Sequence, residues 1–322
     1  MTLSRRDMIL ATGGAALAVA FPAWAGGHSI EGRAFGGSWR LALPTEADLI
    51  VAANVVEQVI EQVDATLSPW RESSEISRFN RSADTRWHRC GDEISEVAAA
   101  SLEIADLTDG AFNPTVGPIV SRYGFGPIEG HAGRWQDIVT EPGRLRKTAA
   151  GRTLDFCGIA KGYALDRIAV GLEAQGISDA LIDLGGDVKA IGLRPNGSLW
   201  RVGIERPGAP GLEMQRVVAI GAGLALATSG TAAQGYADQG RSIAHLIDPG
   251  TGRPISGEAF SVSVVAESGM RADALATALT VMGPEKGADR ARGLGIDALF
   301  VSVRENVGTE VMTGDFMRHV IV

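Results

Sequence analysis

The chain has 322 residues, 45% hydrophobic and 21% charged, an ordinary globular balance. A net charge of −8 and a pI near 5.2, with no basic stripe to face phosphates, argue against nucleic-acid binding. The length admits one large domain or two average ones, and the 42 glycines cluster in short motifs that signal tight turns.

Residues 1–25 read as an export signal, with paired Arg5 and Arg6, a weakly apolar run from Met8 to Ala20, and a small-x-small site ending at Ala25. The twin arginine points to the Tat route, which delivers folded proteins to the bacterial periplasm. A membrane anchor is the competing reading, but the run is short against a span of roughly 20 residues and contains Gly13 and Gly14. Cleavage removes Arg5, Arg6 and Asp7 with the rest of the signal, leaving a soluble domain of residues 26–322 with a net charge of −9.

"SWRLAL" then reads as a strand, and the helical spacing of apolar residues over 46–68 predicts an amphipathic helix. A second helix is expected over 93–110, stopped by Gly110. A loop-rich section follows, with Pro114, Pro118, Gly124 and Gly126. "RTLDFCGIA" is expected as a strand turning into a third helix that ends at Gly176. Val-, Ile- and Ala-rich stretches from residue 179 to the 260s read as strands with glycine turns. A helix from about Asp273, then "ALFVSVREN" and "HVIV" as strands, close the chain. Helices and strands mix without strict alternation, which predicts an α+β fold, a single compact domain of one or two lobes. Cys90 and Cys157 have no zinc-like spacing; two free thiols are expected, Cys157 as a small buried one.

Four punctuated motifs stand out: "DGAFNPTVGP" (109–118), "DFCGIAKGYALD" (155–166), "LIDLGGD" (181–187), and "ALATSG" (225–230) leading to "HLIDPGTGRP" (245–254). Each has a plain explanation. Gly-Gly after a strand makes a turn, a lone Lys161 on a helix is solvated, His245 is a satisfied histidine, and Asp248 opens a type I turn. No P-loop and no G-x-G-x-x-G after a strand is present. In "RADALATAL" (271–279), Asp273 and Thr277 share a helix face, and the residues alone leave open whether the acid is a helix cap or half of a metal site.

Taken together and in order, "SPWRESSEISRFN", the four motifs and "RADALATALTVMG" resemble the successive signatures of the FAD:protein FMN transferases, the ApbE family, over about residues 35–283. The resemblance implies an ApbE-like domain with its flavin site in a cleft, which cleaves FAD, attaches FMN through its phosphate to a Thr or Ser hydroxyl of a target protein, and releases AMP with Mg²⁺. It implies metal ligation by Asp273, Thr277 and the backbone carbonyl of Gly158. Flavin-nucleotide contacts are implied at Phe35, Trp70, Ala111, Phe112, Asn113, Asp155, Lys161, Leu246 and Ile247, with Trp70 stacking where relatives often carry Tyr. His245 is expected to accept the proton of the attacking hydroxyl, with Asp248 orienting it or holding the turn. Departures from the family are Asn113 for Asp, Phe35-Gly36-Gly37 for Met-Gly-Thr, and Ala276 where some relatives have a second acid. An FAD carrier without turnover and an FAD hydrolase giving FMN and AMP are the rival readings. The implied acceptor is a membrane-attached electron-transfer flavoprotein, in an ion-pumping redox complex or in support of nitrous-oxide reductase.

Overall fold

A computed structural model describes residues 27–208, 213–231, 235–238, 241–255, 259–304 and 307–322; the expected export signal, residues 1–25, lies outside them. In chain order the first half forms β1 (Gly27–Ala34), β2 (Gly37–Pro44), α1 (Leu49–Leu67), α2 (Glu75–Arg81), β3 (His88–Arg89), α3 (Asp92–Leu107), α4 (Gly117–Arg122), β4 (Ile138–Glu141), β5 (Arg144–Lys147) and α5 (Ala160–Ala174). The second half forms β6 (Ala180–Leu184), β7 (Asp187–Ile191), β8 (Trp200–Glu205), β9 (Met214–Ile220), β10 (Ala225–Gly230), β11 (Gly235–Asp238), β12 (Arg241–Ala244), β13 (Ile247–Asp248), β14 (Arg253–Pro254), β15 (Ala259–Ala266), α6 (Gly269–Met282), α7 (Pro284–Leu294), β16 (Asp297–Arg304) and β17 (Val307–Thr313).

Alternation along the strands builds the frame. Side chains two apart share a face, so Leu41 and Leu43, Ile182 and Leu184, Val262 and Val264, and Ala298 and Phe300 all point into one core, packed against α1, α3, α5 and α6. Their neighbours Ala42, Leu181, Val188, Leu299 and Val301 fill a second core on the opposite face, under the β8–β9 hairpin and Phe316. The sheet between the cores has eight strands in the order β1-β2-β6-β7-β10-β15-β16-β17, every neighbouring pair antiparallel. The expected α+β class and single compact domain are what the chain adopts.

Glycine stops two helices by one device. After α3, Asp109 and Gly110 have φ of 49° and 78°, and the Gly110 N–H donates to Ala105 O at 2.7 Å. After α5, Gly176 has φ 78° and the Ile177 N–H donates to Leu172 O at 3.0 Å. Both are six-to-one closures that satisfy orphan carbonyls, and the first releases the chain into the 109–118 motif.

Three expectations need correction. "RTLDFCGIA" is not a strand but an irregular segment that turns at 157–159 into α5: the amide of Asn80 donates to Leu154 O and accepts the Leu154 N–H, each at 2.8 Å, and the Asp155 N–H donates to Pro114 O at 2.7 Å. A side chain and a loop carbonyl thus take the place of a ladder partner. "HVIV" is not a strand either; a 3₁₀ turn spans Phe316–His319 and Val320 makes one isolated bridge to Val218. The helix expected from about Asp273 begins at Gly269, with Ser268 capping it by accepting the Arg271 N–H. The loop-rich section also contains the short helix α4 and, with β3, a three-stranded sheet ordered β3-β5-β4.

Candidate active site

The turns at one end of the main sheet and the N-terminus of α5 bring the motifs together. The β1–β2 turn, with Phe35 at φ 50°, lies over the β6–β7 turn, where the Gly185 N–H donates to Ser38 O at 2.9 Å. Lys161, in the first turn of α5, passes Gly185 and pairs with Asp187. The Asp187 carboxylate is buried and also accepts the Thr228 N–H at 3.0 Å, tying in the 225–230 motif. The next residue, Ser229, places its hydroxyl 3.2 Å from Thr277 Oγ1. Gly158 completes the ring: a Cβ there would stand 3.3 Å from both Thr277 Oγ1 and Phe112 Cε2, so the turn backbone rests directly on the threonine and the aromatic ring.

Asp273 is 3% exposed and lies in the second turn of α6, too far along to cap its own helix. Its carboxylate instead accepts the Gly162 N–H, an orphan donor in the first turn of α5, at 3.0 Å. Burial pushes the Asp273 carboxyl up to about 7, with Lys161 opposing and Asp187 adding to the shift. Burial likewise raises Asp183 to about 6, against the Gly186 N–H and with Asp187 adding. Burial acts to lower Lys161, but Asp187 and Asp273 overrule it and hold the ammonium firmly charged. Three carboxylates therefore surround one ammonium, an excess of negative charge that suits a further cation.

The donor set that such a cation would meet is hard oxygen: the Asp273 carboxylate, the Thr277 hydroxyl and the carbonyl of Gly158. Among the described residues no three His, Cys, Asp or Glu side chains gather in a metal-binding group. Oxygen donors of this kind would suit Mg²⁺, which keeps several waters, and not Zn²⁺, which favours nitrogen and sulfur.

The other nominated residues fall into distinct places. Asp155 accepts the Cys157 N–H at 2.9 Å, and burial raises its carboxyl. Cys157 is exposed, correcting the expectation of a buried thiol, and both cysteines are free as expected. Desolvation, with Asp155 and Asp273 nearby, raises the Cys157 thiol well above the usual thiol value. Ala111 is partly buried against the main core, and Phe112 lies within it. Asn113 bonds Thr115 through its carbonyl, at 2.9 Å to the N–H and 2.8 Å to the hydroxyl. Beside Asn113 opens a cavity of about 340 Å³, walled also by Val116, Arg134, Asp137, Arg152 and Pro249. This cavity shares only Asn113 with the nominated set, and the charged cluster around Asp273 lies outside its walls.

Leu246 and Ile247 are 8% and 4% exposed, so their side chains belong to the packing more than to an open surface. The His245 ring meets Phe125 edge-on at 6.3 Å between centroids. Asp248 holds the turn: its two oxygens accept the Gly250 N–H and the Thr251 hydroxyl, each at 2.9 Å. Trp70, 63% exposed, follows α1 in a loop that Arg71 pins to Glu61 and Asp64, and the contacts of the charged cluster do not include it. Ala276 is fully buried in the main core, so an acid at this position would enter apolar packing. Sequence reasoning passed over Asp187, although it ends the quoted "LIDLGGD"; an acid directly after a glycine turn was the available signal.

Comparison with known proteins gives a consistent result. A model of the ApbE family matches residues 35–300. An FAD:protein FMN transferase of Klebsiella pneumoniae (strain 342) is 32% identical over 299 residues, covering 87% of this chain and 85% of that protein. Among solved structures, the flavin transferase ApbE from Vibrio cholerae superposes with a TM-score of 0.81 at 29% identity, covering 91% of this chain and 99% of its own. The flavinyl transferase ApbE of Pseudomonas stutzeri, in its apo form, gives 0.80 at 30% identity, with 91% and 96% covered.

Proposed function

Because the chain belongs to the ApbE family, we propose that it transfers FMN from FAD to a Thr or Ser hydroxyl of a target flavoprotein, releasing AMP, with Mg²⁺, in the periplasm after Tat export. The observation that carries this reading is the convergence of Gly158, Lys161, Asp187, Ser229, Asp273 and Thr277, drawn from four separated motifs, on one polar cluster at the α5 N-terminus.

The chemistry follows from those groups. The N-terminus of α5 presents a positive dipole end, and Lys161 adds a full charge, a combination suited to a diphosphate. The acceptor hydroxyl attacks the FMN phosphorus, a new P–O bond forms, and the P–O bond to AMP breaks. His245 takes the hydroxyl proton, a contribution of about 10²–10⁴-fold. Asp273, Thr277 and the Gly158 carbonyl would hold Mg²⁺, which when bound offsets charge on the departing phosphate. Asp187 keeps the Lys161 ammonium fixed, and Asp248 keeps the turn after His245 in shape. The acceptor is proposed to be a membrane-attached electron-transfer subunit, one that supports nitrous-oxide reductase among the candidates.

The test incubates residues 26–322 with FAD, Mg²⁺ and a candidate acceptor, then reads flavin fluorescence in a denaturing gel. A fluorescent acceptor band supports the proposal. Free FMN with no labelled acceptor assigns a hydrolase, and intact bound FAD assigns a carrier.

A further inference from the structure

A second capping relation runs opposite to the one made by Asp273. Asp166 of α5 aims its carboxylate at the N-terminus of α6. Its Oδ1 accepts the Gly269 N–H at 2.8 Å; its Oδ2 accepts the Met270 N–H at 3.1 Å and the Ser268 hydroxyl at 2.9 Å. Lys189 Nζ stands 2.8 Å from Asp166 Oδ1 while donating to Glu267 O at 2.7 Å and Gly223 O at 3.2 Å. The two helices meet in backbone contact at a pair of glycines. A Cβ on Gly269 would stand 2.7 Å from the Gly162 carbonyl oxygen, and one on Gly162 would collide with the Gly269 carbonyl.

Each helix therefore caps the other across the crossing, α5 through Asp166 and α6 through Asp273. We propose that Asp166 is a positioning residue: this reciprocal cap locks α5 and α6 in one register, which sets the Asp273 and Thr277 oxygens against Gly158 and the α5 N-terminus. The inference rests on the transferase reading for its consequence, metal binding, but not for the lock itself.

Helix formation does not require Asp166, because Ser268 already caps α6 locally at the Arg271 N–H. What Asp166 adds is a bond from more than 100 residues away, so it governs where the helix lies and not whether it forms. A helix is axially stiff, rising about 1.5 Å per residue, and Asp273 lies one turn beyond the capped end. Any slip at Gly269 is passed on to Asp273 and, a turn later, to Thr277. Lys189 offsets the charge of Asp166, and N–H bonds to a carboxylate are of the strong, charge-assisted kind.

Two measurements on residues 26–322 separate the lock from its consequence. In the absence of metal, urea unfolding of Asp166→Asn, Asp273→Asn and the double variant should be non-additive, because the two caps hold one crossing; additive losses overturn the lock. In the presence of FAD, Mn²⁺ binding followed by electron paramagnetic resonance should weaken roughly tenfold or more in Asp166→Asn and Asp166→Ala. Leu299→Ala, a core variant on the other face of the sheet, lowers stability but should bind Mn²⁺ as the wild type does. Wild-type affinity in both Asp166 variants, or equal weakening in Leu299→Ala, overturns the positioning role. A wild-type protein that binds no Mn²⁺ removes the metal reading, and the unfolding cycle then decides the lock alone.

Discussion

At the residue scale, the charged cluster combines groups whose preferences conflict in isolation and agree in company. Asp187 is nearly inaccessible and would be costly as a lone buried charge, yet Lys161 and the Thr228 N–H satisfy it. His245 packs edge-on against Phe125. Its replacement by Ala should leave FAD affinity within about twofold while single-turnover transfer slows by about 10²–10⁴-fold; unchanged transfer removes it from the mechanism. Cys157 offers a probe that needs no acceptor. The residue is exposed, but desolvation and the carboxylates of Asp155 and Asp273 raise its thiol well above the usual value. Only the thiolate alkylates, so iodoacetamide at pH 8 should modify Cys157 about tenfold or more slowly than free cysteine. FAD with Mg²⁺ should slow it further, and alkylation at an unchanged rate would place the dinucleotide elsewhere.

At the element scale, glycines and buried donors fix helices to one another. Gly162→Ala forces a Cβ into the Gly269 carbonyl at the α5–α6 crossing and should cost about 1–3 kcal/mol in urea unfolding. Lys147 plays a comparable part on the other side of the core. Fully buried, it donates to Phe79 O and Ser82 O, each at 2.8 Å, and so closes the C-terminus of α2. That closure also steadies Asn80, whose amide clamps Leu154 beside Asp155. Burial lowers Lys147 to about 8. Between that value and the unfolded value near 10.5, the unfolded chain binds more protons, so stability contributed through this group rises with pH and is lost as pH falls through 8. The difference in unfolding free energy between the wild type and Lys147→Met should follow that slope. The variant should be less stable by about 1–3 kcal/mol, because two carbonyls lose their donor.

At the scale of the whole molecule, one antiparallel sheet separates two cores, and the strand ends and helix starts at one side of it supply the site. The sheet is buried on both faces, which is why most of its strands read as apolar runs with small residues and not as clean polar–apolar alternation. The proposed export adds a prediction for the full chain. With Arg5→Lys and Arg6→Lys together, the protein should remain in the cytoplasmic fraction, whereas the unaltered chain should reach the periplasm starting at Gly26. Periplasmic recovery of the double variant would rule out the Tat route.

Local signals in the sequence were enough for the helices α1, α3 and α5, for the glycine stops at Gly110 and Gly176, for six of the eight strands of the main sheet and for the α+β class, because each is written in residues a few positions apart; β1 and β17 went unmarked. Pro284 after Gly283 likewise marks the start of α7, a signal present but unused. The shared face of Asp273 and Thr277 was legible for the same reason, but the partner of Asp273 was not. Gly162 lies 111 residues away in sequence, and no periodicity encodes which helix N-terminus a carboxylate will meet. Residues 152–156 were misread as a strand for the same reason, since their backbone bonds go to Asn80 and Pro114 and not to a neighbouring strand. The sequence by itself determined which elements form and which chemistry-bearing residues they carry. Only the tertiary structure decided who faces whom, because burial, charge coupling and helix crossing depend on distances that close when the chain folds.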